Sequence, residues 1–187
     1  GGLYFCICLV LLVFAIRYLN DKWFGFIAVM VLVTSVGYIN LHSTRTGDYD
    51  ALLTLFTTIG GLSFFLYTEN NRPRYLYVFF IFTIFAVLTK SISGLLFIPS
   101  LIIYSLVRKQ FIPLLKNRHF YFGLLTFIIF AGGYYLLREM KNPGFLATVY
   151  ENELGGRYLE VIEGHKHGFW FYYQNLVNVN YSCWFLF

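Results

Sequence analysis

Seven apolar runs separated by polar turns set the pattern of this chain. They cover residues 1–16, 23–41, 51–68, 75–89, 91–107, 120–137 and 169–187. A helix needs about 20 apolar residues to cross hydrocarbon, within a range of about 17–25, and every run reaches or approaches that length. Backbone that crosses a membrane must satisfy its own hydrogen bonds, which a helix does. The pattern therefore predicts an all-α polytopic transmembrane bundle of about seven spans, in one membrane domain covering residues 1–187. A polar stretch over 138–168 is too long for a plain connector, and loops of that size tend to be functional. The first run has neither a basic start nor an A-x-A site, so it reads as a span and not as a signal peptide. A Gly at position 1, with apolar sequence at both ends, reads as a segment of a longer membrane protein.

Composition agrees. The 187 residues are 58% hydrophobic and 22% aromatic, with a mean hydropathy of +0.64. Only 12% are charged, about half the share of a soluble domain. Net charge is +5, which in a soluble protein would suggest nucleic acid. No nucleic-acid motif is present, and orientation in the bilayer is the simpler cause. With seven spans, eight Lys and Arg fall on one face and six on the other. Two of the nine acids, Asp21 and Glu69, lie on the first face and seven on the second. Because the face richer in Lys and Arg is cytoplasmic, the second face is expected outside, as in a bacterial inner membrane with an outward-facing site. The cysteines, Cys6, Cys8 and Cys183, all sit in apolar runs and read as buried thiols.

Three polar features converge on that second face. Asp48 and Asp50 precede the third run. An acid at the mouth of a span is expensive to keep, so a functional role is its default reading. Asp48 suits a helix cap. Asp50, two residues on and at the first helical turn, is placed to orient an acceptor, bind a metal or pair with a cation. Arg45 reads as a phosphate-facing or interfacial cation. Lys90 interrupts 32 otherwise uncharged residues between Arg74 and Arg108. It is either a snorkelling lysine at a helix end or a point-charge partner for phosphate. In the 138–168 loop, Glu163 and His165 have the chemistry to hold a divalent metal or move a proton, though an E-x-H spacing is common.

These residues resemble the GT-C fold family of lipid-dependent membrane glycosyltransferases. The nearest members are the bacterial proteins similar to dolichyl-phosphate-mannose-protein mannosyltransferases, among them the aminoarabinose transferases that act on lipid A. Arg45-Thr-Gly-Asp48-Tyr-Asp50-Ala-Leu-Leu-Thr-Leu-Phe56 resembles the family's second extracytoplasmic acidic motif. Leu88-Thr-Lys90-Ser-Ile-Ser-Gly94 resembles its L-T-K-G block, with Ser91 where the family carries Gly. Glu153-Leu-Gly-Gly-Arg157-Tyr, followed by Glu163-Gly-His165-Lys-His-Gly-Phe-Trp-Phe-Tyr-Tyr173, resembles the loop before a later span. The resemblance implies that the chain is the middle part of a GT-C membrane domain. It implies a polyprenyl-phosphate sugar donor held within the bilayer and an extracytoplasmic acceptor, with inversion at the anomeric carbon. Lys90 would bind the donor phosphate, and Asp50 would position Lys90 or the acceptor. Arg45 and Asp48 would contact substrate, and Arg157, Glu163 and His165 would line the acceptor or metal region. The family's general base is credited to an earlier acidic loop, which is not among these residues.

The competing class is a transporter or channel segment in which Asp50 and Lys90 form a gating pair. The polar residues cluster at one membrane face and not at the midplane, which favours the transferase. Accessibility separates the two. An Asp50→Cys substitution is expected to react with an impermeant maleimide from one side only; labelling from both sides would support a transporter.

Overall fold

The computed structural model describes residues 2–36, 49–151 and 170–180. Among these there is no strand. Ten α-helical segments follow one another: α1 (Gly2–Phe14), α2 (Lys22–Thr34), α3 (Tyr49–Asn70), α4 (Pro73–Lys90), α5 (Ile98–Val107), α6 (Phe111–Lys116), α7 (Arg118–Phe127), α8 (Gly133–Lys141), α9 (Phe145–Val149) and α10 (Phe171–Asn175). Short π or 3₁₀ turns extend α1, α4, α7 and α10.

Four continuous helical stretches among the described residues are long and apolar enough to cross a membrane: Gly2–Leu19, Tyr49–Asn70, Pro73–Leu95 and Arg118–Lys141. They match the expected first, third, fourth and sixth runs. The second and fifth runs give shorter helices, Lys22–Thr34 and Ile98–Val107. The fifth is shortened because its start, Ser91–Leu95, is wound as a 3₁₀ turn against the end of α4. The seventh is described only over residues 170–180.

The chain divides into two compact units, residues 1–55 with 166–187, and residues 56–165. In the first unit α1 and α2 form a hairpin. Asp21 caps α2, its Oδ1 accepting from the Trp23 and Phe24 N–H groups at 2.9 and 3.0 Å, which satisfies two of the helix's orphan donors. The hairpin closes tightly where Gly25 meets Ala15: a Cβ on Gly25 would lie 2.8 Å from the Ala15 Cβ. Small residues at a crossing let helices approach in lipid. Cys8 is buried here, whereas Cys6 is exposed, because residues two apart point to different sides of a helix. The reading of Cys6 as a buried thiol is thus corrected.

The second unit is an aromatic-rich bundle of α4, α5, α6, α7, α8, α9 and most of α3. Phe64, Phe79, Phe80 and Phe120 form a chain of ring contacts at 5.1–5.7 Å. Several helix ends gather at one end of it. Arg108, after α5, donates to Glu69 Oε1 near the end of α3 at 2.6 Å, and the Tyr104 hydroxyl donates to the same oxygen at 3.0 Å. Asn117, which caps α7, donates to the Tyr67 hydroxyl at 2.8 Å. The Tyr77 hydroxyl lies 2.7 Å from His119 Nδ1. The end of α5 and the start of α7 are thereby tied to α3, and the start of α7 also to α4. At the α5 end, the Lys109 N–H bonds Leu106 O and the Gln110 N–H bonds Ser105 O, with Lys109 at φ +56°. This is a Schellman stop with Lys in the position that normally takes Gly.

The closest helix contact is between α7 and α4. A Cβ on Gly123 would stand 2.0–2.8 Å from ring atoms of Phe80. That ring is buried between Phe79 and Phe120 and has little room to move. Gly123→Ala is expected to cost about 1–3 kcal/mol through overpacking. Gly61→Ala, where nothing lies within 4 Å, is expected to gain about 0.5–1 kcal/mol from helix propensity. Thermal unfolding of the two variants in detergent micelles checks the opposite signs.

Candidate active site

Each described candidate residue is positioned by a helix end. Asp50 occupies the first turn of α3 and is half-buried. Its backbone carbonyl accepts from the Thr54 hydroxyl at 2.8 Å, so the first turn is closed by a side chain as well as by the ladder. A carboxylate there complements the helix N-terminus, and a cation in a last turn complements the C-terminus, each worth about 0.3–1 kcal/mol. Lys90 is that cation for α4, being its final residue and also half-buried. Asp50 belongs to the first compact unit and Lys90 to the second.

What holds Lys90 is the reversal that follows it. Lys90 leaves helical geometry at φ −146°, ψ 41°, and Ser91 follows at φ 49°, ψ −130°. Its N–H still bonds the Val87 carbonyl. That conformation is open to Gly and unfavourable for a residue with a Cβ. The chain then winds through Ser91–Leu95 so closely that a Cβ on Gly94 would sit 2.5 Å from the Ala86 carbonyl carbon and 2.6 Å from the Val87 nitrogen. Ala86 and Val87 are themselves buried, Ala86 completely. Lys90 thus stands at the tip of a hairpin whose return limb lies on the backbone of its outgoing limb. The sequence signals for this were the uncharged run around Lys90 and the Gly at position 94.

Arg45, Asp48, Arg157, Glu163 and His165 lie outside the described residues. Among the described residues no group of three His, Cys, Asp or Glu side chains is placed to hold a metal ion.

The sequence reading started the long loop at Arg138, but helix α8 continues to Lys141 and a second short helix, α9, follows. Glu139 joins them. Its two carboxylate oxygens accept from the Gly144 and Leu146 N–H groups at 2.9 and 2.7 Å, capping α9. Arg138 lies over the Phe145 ring at 5.0 Å, and Tyr135 stacks on the other side of the turn at 6.2 Å. The turn between α8 and α9 runs through Asn142-Pro143-Gly144, with Gly144 at φ +92°, a conformation that suits glycine. The carboxylate clamp across it was not visible in the sequence, because it depends on where α8 stops.

The bundle of apolar helices defines an integral membrane protein, with Asp50 near the start of one membrane-crossing stretch and Lys90 near the end of another. Comparison with known proteins gives the class its content. Residues 3–135 match the family model described as dolichyl-phosphate-mannose-protein mannosyltransferase, and the chain belongs to that family. It is therefore a membrane glycosyltransferase chain of the GT-C type. No curated protein and no solved structure matches. Arg45, Asp48, Asp50 and Lys90 fall within the matched residues; Arg157, Glu163 and His165 fall beyond them.

The Lys90 reversal can be tested through its backbone. Ser91→Gly removes an unfavourable φ and is expected to raise stability by about 1 kcal/mol or more. Gly94→Ala, whose Cβ would meet backbone and not a flexible side chain, is expected to lower the melting temperature sharply. A Ser91→Gly variant no more stable than the parent would refute a strained reversal at Lys90.

Proposed function

We propose that the protein moves a sugar from a polyprenyl-phosphate-linked donor to an acceptor at the extracytoplasmic face of the membrane. The acceptor is a protein, lipid A or a cell-envelope glycan, and the membrane is a bacterial inner membrane with the site facing outward. The observation that carries the reading is the family match over the blocks that contain Asp50 and Lys90, each residue being fixed at a helix end.

Lys90 binds the donor phosphate. A lysine is a compact point charge with three donors, suited to phosphate oxygens. Charge builds on that phosphate as the bond from the anomeric carbon breaks and the bond to the acceptor oxygen forms on the opposite face. A preorganised cation in low-dielectric surroundings stabilises that charge more than water would. Asp50 orients the acceptor. Arg45 and Asp48, which precede α3 in the sequence, contact substrate, and Arg157 and His165 line the acceptor region. Glu163 and His165 are the residues with ligand chemistry should a divalent metal take part.

The test uses the intact protein in membranes supplied with labelled polyprenyl-phosphate sugar. Lys90→Ala is expected to reduce transfer on the order of 10²-fold, the scale of removing one preorganised donor. Asp50→Asn is expected to reduce it as well, with expression and melting temperature close to the parent. Unchanged transfer in both variants, or loss that only tracks lost stability, would reduce both residues to helix-end electrostatics.

A further inference from the structure

The second unit contains a cavity of about 360 Å³ that Lys90 itself does not line. It runs between α4, α5, α6 and α7, from Leu95 in the turn after Lys90 to Leu115 near the other end of the bundle. Phe111, Leu114 and Leu115 of the short helix α6 form one wall, with Phe80, Leu101 and Leu124 among the facing residues. Its volume falls within the range of about 300–1,000 Å³ typical of ligand pockets. Two hydroxyls reach its lining, Thr83 and Ser105, and both are spent on their own helices. Thr83 Oγ1 donates to the Phe79 carbonyl and Ser105 Oγ to the Ile102 carbonyl, each at 2.8 Å. A buried water needs two to four polar partners, and this lining does not offer them. The cavity suits hydrocarbon.

The adjoining loops are cationic. Lys109, Lys116 and Arg118 are exposed and lie one to two residues from the lining residues Phe111, Leu115 and Phe120. Arg72, Arg74 and Arg108 stand at the same end. The acid among the described residues there is Glu69, which is engaged by Arg108 and Tyr104. The net charge of this end is therefore strongly positive next to a hydrocarbon-lined recess. Clusters of Lys and Arg beside membrane helices attract anionic lipids, and basic pockets between helices hold their headgroups.

We infer that this recess is a binding site for an anionic glycerophospholipid of the bilayer, with an acyl chain in the cavity and the phosphate against Lys109, Lys116 and Arg118. The short helix α6 is the element that joins the two halves. Its buried Leu114 faces the recess, and its end carries Lys116 into the headgroup zone. The chain inserts among aromatic walls that would otherwise lose contact with any neighbour. The phosphate neutralises charge that, among the described residues, is offset only by Glu69 at this end. The bound lipid is thus a structural partner of the α4–α7 contact, separate from the sugar donor.

The test is made on the intact protein, purified in mild detergent and melted with added phosphatidylglycerol or with phosphatidylcholine of the same acyl chains. Native mass spectrometry reads what is retained. Wild type is expected to keep phosphatidylglycerol and to melt higher with it than with phosphatidylcholine. The Lys109→Gln/Lys116→Gln/Arg118→Gln variant is expected to lose that preference between headgroups. Leu115→Trp, which fills the recess from the exposed side of α6, is expected to lose the gain from either lipid. Equal stabilisation of wild type by both lipids would overturn the headgroup assignment. A full phosphatidylglycerol effect in Leu115→Trp would overturn the cavity assignment. Retention of a polyprenyl phosphate in place of a glycerophospholipid would overturn the occupant.

Discussion

Hydrocarbon offers a backbone nothing to bond with, and the described helices answer that constraint along their length. The difficulty is concentrated where the chain must turn. At the end of α4 it is met without a wide loop. The Ser91 N–H keeps a helical bond to Val87, the following residues wind immediately into a 3₁₀ turn, and Gly94 seats that turn on the backbone of Ala86 and Val87. The cost is a Ser in a conformation that favours Gly. In return, Lys90 is left on a tip with little freedom of its own. A charge carried on a tip with few alternative conformations is preorganised, which is the condition under which a cation can stabilise charge building on a phosphate.

The two ends of the second unit solve different problems. The Lys90 end is tightly wound. The other end gathers helix termini through polar side chains: Glu69 with Arg108 and Tyr104, Tyr67 with Asn117, Tyr77 with His119. Arg108 is about half exposed, and an ion pair with that much solvent contributes little to stability by itself. Its value is geometric. It ties the end of α5 to the end of α3, so the broken return limb over residues 91–107 finishes beside the helix it must pack against. The ten residues of α5 reach roughly 15 Å, too short to be held by hydrocarbon matching alone. Aromatic contacts such as Phe65 with Tyr104 and Phe79 with Phe97 supply the rest.

Much of this architecture was legible because apolar run length is a direct physical requirement of the bilayer. Runs three, four and six appear as helices within a few residues of their expected bounds. The fifth run shows the limit of that reading. Residues 91–107 are apolar enough to span, yet hydropathy does not register a 3₁₀ start, which arises from contact with α4 and not from the run's own composition. Hydropathy likewise does not register that α8 runs on into the 138–168 stretch. Arg138, Glu139 and Lys141 look like loop residues by charge, but Arg138 lies over Phe145 and Glu139 caps the next helix, so polar side chains carry the helix outward. For the site, sequence located Asp50 and Lys90 through their isolation. It could not supply the conformation of Ser91, whose unusual φ follows from the Gly94 contact three residues later.

Helix-end electrostatics and catalysis are not exclusive explanations for Asp50 and Lys90. An acid in a first turn and a lysine in a last turn would each be favoured with no substrate present. That contribution is small, however, and met equally well by an ordinary surface turn. It gives no reason for Lys90 to be followed by a residue in a Gly conformation and a glycine whose Cβ position is occupied by backbone. An end cap tolerates looseness, whereas a group that must meet a phosphate tolerates little, because misplacement of about 1 Å can cost on the order of 10²-fold in rate. The rigidity of the reversal is therefore the feature that separates the two explanations. A cap alone does not call for it, and it is the ground on which Lys90 is proposed as the contact to a lipid phosphate.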